Sequence, residues 1–259
     1  IPYNYTIIDP EGVIEVYSDS MKNWLNNVDL TIIFDIGDYR RVGNIGKHIY
    51  GHCTSISIDH HPTKEDNPFI LNIVDSKAPA TGYLIWKYFQ HINMTDNKLP
   101  VNIANALYVS VVTDTASFKY QSTTSDTHYM AACLIESGVD GYEIQRNIYE
   151  QKRLSHIKLL GEVIQTLHYS KTGKVVWTII SQKMIQKTNA INDDIDGFPE
   201  YIRAIQDVEI SFMILENPDG THRLSFRSSG KYTVNDIAKS FEGGGHKFAA
   251  GASIKNLST

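Results

Sequence analysis

Short apolar runs of strand length alternate with longer helical patterns through the first half of the chain. Two of these runs, residues 30–34 and 54–58, are each followed directly by an aspartate, Asp35 and Asp59. Unbroken apolar runs are typical of strands that are buried on both faces of a parallel sheet. The pattern therefore predicts an open parallel sheet that delivers acids to one edge, where such sheets bind ligands.

Helical periodicity fills the sequence after these runs and predicts helices over residues 79–92, 101–112, 125–136, 140–150 and 154–167. Asp114 follows the helix predicted over residues 101–112, so a third acid comes just after a segment that is apolar enough to be buried. A strand-like segment, residues 118–120, comes next. The last helix lies between a part of the sequence rich in helical patterns and a part rich in strand and turn patterns, and it is interpreted as a linker.

Strands and turns dominate beyond residue 167. The predicted strands are residues 174–180, 208–215, 222–227 and 249–254, and the second and third form a hairpin. A helix over residues 234–241, capped by Thr233, precedes the triplet Gly243–Gly245, which reads as a loop before His246. Glycines let backbone N–H groups approach a phosphate closely, although a glycine run is more often an ordinary loop.

Composition narrows the class of protein. With 259 residues and 42% hydrophobic side chains the chain can form two modest domains, and its net charge of −5 gives no global reason to bind duplex nucleic acid. Its two cysteines, Cys53 and Cys133, have no metal-ligand spacing, which suits the reducing cytoplasm. No apolar run approaches the roughly 20 residues of a membrane span. We expect a cytoplasmic protein without a membrane partner and, since it begins at Ile1, a fragment of a longer one.

The sequence Asp59–His60–His61 offers an acid and two imidazoles at the end of a predicted strand. Carboxylates suit magnesium or manganese, and imidazole shifts the preference toward a transition metal such as manganese. Alternatively, the acid and histidines cap a helix or satisfy a turn. The joint placement of Asp35 and Asp114 at other element ends favours the metal site.

Four motifs in order resemble those of the DHH/DHHA1 phosphoesterases, and within them the nanoRNase and pAp-phosphatase group, relatives of the RecJ exonucleases. They are Asp35 after its strand, Asp59–His60–His61–Pro62, residues 112–115, and residues 243–246 with 249–252. The resemblance implies an α/β fold. A mostly parallel-sheet DHH domain (residues 1–150) is joined by a linker helix (residues 151–167) to a smaller α/β DHHA1 domain with a mixed sheet (residues 168–259).

The resemblance also implies roles for single residues. Asp35 bridges two manganese ions, with magnesium as a substitute, while His60 and Asp114 bind the same one of them. His61 faces the scissile phosphate, and Asp59 orients the neighbouring histidines. In the smaller domain, Arg227, Gly244, Gly245 and His246 grip the terminal phosphate or nucleotide; taken alone, Arg227 would be read as a solvated surface residue.

One family motif has no counterpart in this sequence. No His-x-x-x-Asp-x-Asp pattern precedes Asp35, so three ligands are present where a complete two-metal site needs about six. The expectation is either a chain truncated at its start, which the missing initiator methionine favours, or a degenerate member that binds metal poorly.

The resemblance implies a manganese-dependent phosphoesterase that hydrolyses short single-stranded RNA or DNA oligonucleotides, and 3′-phosphoadenosine 5′-phosphate, by two-metal-activated water. Two alternatives remain: a cyclic dinucleotide phosphodiesterase and a non-catalytic nucleotide- or RNA-binding module. The glycine–histidine segment argues against the pyrophosphatases that share the Asp-His-His sequence. Assembly as a homodimer stays open.

Overall fold

A computed structural model describes residues 2–61, 67–92 and 98–255, and the chain divides into two compact units, Ile1–Gln151 and Lys152–Thr259. Pro62 of the Asp-His-His motif lies outside the described residues. None of the helices in the described ranges combines the length and apolar character that crossing a bilayer requires.

The first unit contains a three-stranded sheet of β1 (Leu30–Phe34), β2 (Thr54–Asp59) and β3 (Leu71–Val74). The strands are parallel and lie in the order β1-β2-β3, with Phe34 opposite Ile58. The predicted parallel sheet is confirmed. Because parallel strands end at the same edge, the residues that follow β1 and β2 are brought together there.

Helices pack on this sheet and on one another to form the core of the first unit. They are α1 (Lys22–Leu25), α2 (Gly46–Ile49), α3 (Thr81–His91), α4 (Val101–Asp114), α5 (Ser125–Glu136) and α6 (Gly141–Tyr149). The helix α4 is apolar around most of its circumference, and its Val111 and Val112 are fully buried against Met130 and Leu134 of α5. Asp114 is thereby carried on the last turn of the most buried helix.

The apolar strands are not buried on both faces as their sequence predicts. Ser55 and Ser57 of β2 point to the covered face of the sheet and are buried. The apolar side chains of the other face, among them Ile32, Phe34 and Ile73, are exposed. Side chains alternate along a strand, so an unbroken apolar run does not say how many faces are covered.

The chain after α4 turns sharply, and the strand predicted over residues 118–120 is wrong. Ala116, Ser117 and Phe118 all have positive φ, between 49° and 63°, which no strand adopts. The Thr115 side chain holds this turn by accepting a hydrogen bond from the Phe118 N–H at 2.9 Å. A pattern of alternating polarity could not reveal a turn that is fixed by one hydroxyl group.

The second unit is built on a six-stranded sheet, and the predicted mixed arrangement of its strands is confirmed. Its strands are β4 (His168–Tyr169), β5 (Val175–Ile180), β6 (Ile210–Glu216), β7 (His222–Ser228), β8 (Gly244–His246) and β9 (Ala249–Ile254). They lie in the order β4-β5-β6-β7-β9-β8, in which β5 and β6 are parallel and the other neighbours antiparallel. The glycine triplet predicted as a loop contributes two residues to β8.

Four helices accompany this sheet: α7 (Leu154–Gln165), α8 (Gln182–Thr188), α9 (Phe198–Arg203) and α10 (Asn235–Ser240). The helix α7, predicted as the linker, packs its buried Leu159 and Val163 into the core of the second unit. The helices α8 and α9 were not predicted from the sequence. The predicted cap of α10 is wrong, because Val234 rather than Thr233 precedes the helix and makes no side-chain cap.

Candidate functional site

Asp35 begins the candidate site, directly after β1. Its backbone N–H donates to the carbonyl of Ile58 at 3.1 Å, which extends the pairing of β1 with β2 by one residue. Its φ of 59° is left-handed, a conformation that aspartate tolerates better than most residues. The turn of the backbone leaves its carboxylate at the carboxyl edge of the sheet, with 45% of the side chain exposed.

Asp59, the last residue of β2, is buried and fully engaged by hydrogen bonds. Its carboxylate accepts from the backbone N–H groups of Gly37 and His61 and from the ring Nδ1 of His61, the last at 2.8 Å. Burial alone would raise the pKa of this carboxyl, but the hydrogen bonds from His61 and Gly37 outweigh it and lower the pKa. Asp59 is therefore an anion that fixes the orientation of His61.

His61 responds to the same contact in the opposite direction. Burial opposes its protonation, yet the hydrogen bond to Asp59 and the charges of Asp59 and Asp35 together raise its pKa above the ordinary value. With Nδ1 hydrogen-bonded to Asp59, the ring is held in one orientation. Protonation then places a donor on Nε2.

His60 is only 5% exposed and faces the acids with its other nitrogen. Its Nδ1 lies 3.2 Å from the carbonyl of Ala78, and because a carbonyl only accepts, the neutral ring carries its proton there. Its Nε2 lies 3.4 Å from the Asp35 carboxylate and 3.7 Å from that of Asp114. This tautomer is the one found in metal-ligating histidines whose second nitrogen is held by a backbone carbonyl.

Asp114 completes the cluster from the end of α4. Burial is the largest cause of its raised pKa, which reaches about 7, and the negative charges of Asp35 and Asp59 add to it against the opposing charge of His61. A divalent cation bound beside these carboxylates would offset their charges and favour the ionised form of Asp114.

These side chains form two overlapping groups of potential metal ligands. Asp35, His60 and Asp114 make one group, and Asp35, Asp59 and His61 make the other, with the ligand atoms of each within 4.8 Å of one another. Asp35 belongs to both. Two oxygens and one imidazole nitrogen in each group fit a divalent ion of the manganese or magnesium type.

Two residues that the sequence analysis missed hold this cluster in place. The hydroxyl of Thr81 donates to the Asp35 carboxylate at 2.8 Å, although its position at the start of α3 indicates a helix cap. Gly37 has a φ of 61°, and a Cβ there would lie 2.9 Å from the Cβ of His61. In the sequence, the only indication of this role was the presence of a glycine two residues after Asp35.

The predicted binding residues of the second unit lie on adjacent strands. Arg227 on β7 is opposite Ala249 on β9, which is in turn opposite His246 on β8. Directly opposed residues point to the same face, so Arg227 and His246 flank a small side chain. Gly244 belongs to the neighbouring row of that face, beside Gly251.

The glycines of the triplet differ in their steric surroundings. A Cβ on Gly243 would overlap the carbonyl of Gly251, and one on Gly245 would lie 2.7 Å from the carbonyl of Ala249. Close approach of β8 to β9 accounts for both. Gly244 has open space around it, with nothing within 4 Å of a built Cβ. Gly245 pairs with Ala250 in the alternate row, so it does not share the face of Arg227.

Glu200 of α9 is a further residue that the sequence did not indicate. It accepts a 2.7 Å hydrogen bond from Nε of Arg227, whose Nη1 also donates to the carbonyl of Phe226 at 3.0 Å. The guanidinium is thus held in a fixed orientation on its strand. The two residues are 27 positions apart, so the local sequence pattern could not predict their contact.

Known proteins are similar to this chain in sequence. Residues 164–259 match the DHHA1 domain model. A probable bifunctional oligoribonuclease and PAP phosphatase NrnA of Streptococcus mutans is 28% identical over 96% of this chain and 81% of its own length. The bifunctional oligoribonuclease and PAP phosphatase NrnA of Thermus thermophilus is 27% identical over 98% of this chain and 75% of its own length.

Solved structures share the fold. An exopolyphosphatase-related protein from Bacteroides fragilis matches 99% of this chain and 76% of that one with a TM-score of 0.89 at 22% identity. RecJ of Thermus thermophilus, solved with Mn²⁺, matches 91% of this chain and 44% of that one with a TM-score of 0.51 at 13% identity. Residues 164–259 thus correspond to a DHHA1 domain, and over nearly its whole length the chain is similar to the NrnA oligoribonucleases and PAP phosphatases.

Proposed function

We propose that this chain hydrolyses short oligoribonucleotides and 3′-phosphoadenosine 5′-phosphate with manganese as its metal. The observation that carries the proposal is the position of Asp35, whose carboxylate belongs to both groups of ligands at the edge of the sheet. A carboxylate shared in this way is what a pair of ions requires. The names of the NrnA relatives support the choice of substrate.

The ligands for the metal would be Asp35, His60 and Asp114, with Asp59 and His61 beside them. A bound divalent ion supplies a Lewis acid that lowers the pKa of a water molecule and offsets the charge of a phosphate. The chain's own contribution is to hold the donors in place, since Ala78 fixes the tautomer of His60.

His61 is proposed to act on the substrate phosphate rather than on the metal. Its Nδ1 is held by Asp59, and the contact with Asp59 raises the pKa of the ring and so favours its doubly protonated form. The Nε2–H can then donate to a phosphate oxygen as negative charge develops there. Asp59 would orient this donor without contacting the substrate.

In the second unit, the face formed by Arg227, Gly244 and His246 is proposed to hold a terminal phosphate or nucleotide. Arg227 is oriented by Glu200, and Gly244 leaves room for a ligand to approach the backbone. A guanidinium held in a fixed orientation is suited to the planar recognition of a phosphate. Gly245 does not share this face; its proposed contribution is a backbone conformation, with φ of 136°, that lets β8 lie close to β9.

The test is hydrolysis of a 5′-phosphorylated diadenylate RNA by the purified chain with Mn²⁺, followed by chromatography of the products. We expect mononucleotide release that stops when the metal is chelated and falls by at least about a hundredfold in His61→Asn. A parallel reaction with a cyclic dinucleotide separates the phosphodiesterase alternative. RNA binding without any turnover, by a folded chain that binds Mn²⁺, would instead identify a binding module.

A further inference from the structure

The turn that follows Asp35 contains two consecutive arginines in different environments. Asp38 precedes the 3₁₀ helix Tyr39–Ile45 and accepts a hydrogen bond from the backbone N–H of Arg40. The guanidinium of Arg40 is bound to the same carboxylate, with Nη2 at 2.7 Å. The first arginine is therefore part of the helix cap.

Arg41 turns back toward the candidate metal ligands. Its Nη1 donates to the carbonyl of Ile36 at 3.1 Å, and Ile36 directly follows Asp35. The next residue, Gly37, donates its N–H to Asp59. The guanidinium is thus anchored to the short segment that joins the shared carboxylate to the support of His61.

Arg41 remains accessible in this position. Its side chain is exposed, and within residues 2–61, 67–92 and 98–255 no carboxylate forms an ion pair with it. The Ile36 carbonyl uses one of the five N–H donors of a guanidinium. An arginine next to a cluster of acids that nevertheless pairs with none of them has donors to offer to an anionic ligand.

We propose that Arg41 forms an anion subsite beside the metal ligands, where its guanidinium binds a non-bridging oxygen of the substrate's phosphate group. The inference rests on the proposed function and extends it by one substrate-contacting residue. The ligand class is a phosphate monoester or diester. Arginine suits this task because it is always charged and can offer two parallel N–H donors to two oxygens.

Three variants test the subsite: Arg41→Gln, Arg41→Lys and, as the matched control, Arg40→Gln. We expect Arg41→Gln to lower kcat/KM for the diadenylate by about a hundredfold, a loss typical of one charged donor to a reacting phosphate. Arg41→Lys should recover part of this loss, since it keeps the charge but not the fork of donors. Arg40→Gln should stay within about twofold of the wild type, because its guanidinium is bound to Asp38.

Two further measurements keep the result unambiguous. Mn²⁺ affinity and thermal midpoint should be the same in Arg41→Gln and Arg40→Gln, so that a loss of activity is not a loss of metal or of folding. Adenosine 5′-monophosphate binding, measured by calorimetry with Mn²⁺ present, should weaken about tenfold or more in Arg41→Gln alone.

Equal kcat/KM and equal nucleotide binding in the two glutamine variants would overturn the subsite even if the wild type is active. If the wild-type chain hydrolyses nothing, the proposed function fails, and the nucleotide titration still decides the inference. In that case weaker binding by Arg41→Gln alone supports the subsite, and equal binding removes it.

Discussion

The hydroxyl of Thr81 donates a 2.8 Å hydrogen bond to Oδ1 of Asp35, the oxygen that also lies 3.4 Å from Nε2 of His60. Thr81 is buried at the first turn of α3, so its hydroxyl has little freedom to bond elsewhere. The shared carboxylate is therefore oriented by a residue that is 46 positions away in sequence and is not itself a ligand.

Replacing Thr81 by valine should weaken Mn²⁺ binding by about 10–100-fold, because the shape of the side chain is kept while the hydrogen bond to Asp35 is lost. Titration of the metal by electron paramagnetic resonance measures this directly. Thr81→Ser keeps the hydroxyl and should bind Mn²⁺ nearly as the wild type does. Equal affinities in the valine and serine variants would show that the hydroxyl does not orient Asp35.

Gly37→Ala should both destabilise the chain and displace His61. Its φ of 61° disfavours any side chain, and the new Cβ would lie 2.9 Å from that of His61. Gly51→Ala is the matched control, since its φ is 76° and its surroundings are open. Both should lose about 1 kcal/mol in urea unfolding from the backbone alone, and Gly37→Ala at least about 1 kcal/mol more.

The two alanine variants should also differ in activity. A displaced His61 is expected to lower turnover of the diadenylate by about 10–100-fold in Gly37→Ala, whereas Gly51→Ala keeps its rate. Similar rates in both would mean that the contact between Gly37 and His61 has no functional consequence.

Asp114 should make the metal-free chain less stable as the pH rises. The folded state keeps the proton of Asp114 up to about pH 7, while the ordinary carboxyl loses it near 3.8. Between these values the folded chain binds more protons than the unfolded chain, so the free energy of unfolding falls with increasing pH. Asp114→Asn removes this effect and should be more stable than the wild type at pH 8 by on the order of 1–3 kcal/mol, a difference that disappears near pH 4.

Saturating Mn²⁺ should reverse that order. The ion should stabilise a wild-type chain that binds it and have little effect on Asp114→Asn, which lacks one of the proposed carboxylate ligands. Urea unfolding at pH 4 and pH 8, with and without the metal, gives all the comparisons. An Asp114→Asn chain that is no more stable than the wild type at pH 8 without metal would contradict the raised pKa.

Gly244→Ala should leave the fold intact while impairing nucleotide binding. Its built Cβ meets nothing within 4 Å, so the free energy of unfolding should stay within about 0.5 kcal/mol of the wild type. Adenosine 5′-monophosphate binding should weaken about tenfold, or ~1.4 kcal/mol, because the methyl group occupies the proposed ligand face. Unchanged nucleotide affinity would place the ligand elsewhere.

Gly243→Ala provides the contrast on the same segment. The added methyl group would overlap the carbonyl of Gly251, so we expect a loss of about 3 kcal/mol in unfolding free energy. A Gly243→Ala chain as stable as Gly244→Ala would mean that β8 does not lie so close to β9.

Local patterns predicted much of the fold. The strand β1 and the helix α5 have the bounds that their apolar periodicity indicates, because packing there agrees with local preference. The parallel sheet also followed from the sequence. The coverage of its second face did not, since it depends on what packs against the strands rather than on the strands themselves.

The residues of the candidate site likewise fall into those that local sequence patterns indicate and those that depend on tertiary contacts. Three acids and two histidines could be singled out because each follows an element that the periodicity identifies. Thr81 and Glu200 could not, because their contacts join segments that are distant in sequence. Arg40 and Arg41 are adjacent and identical in type, and only the cap at Asp38 distinguishes them.

The left-handed turn after α4 makes Asp114 part of a region that should open more readily than the helix before it. Three consecutive non-glycine residues at positive φ, Ala116 to Phe118, each raise the local energy by about 1–3 kcal/mol. Local contacts such as the 2.8 Å hydrogen bond from Gln145 to Ser117 oppose that opening. Amide hydrogens of this turn should therefore exchange with solvent faster than those of α4, and slow down when a cation binds Asp114.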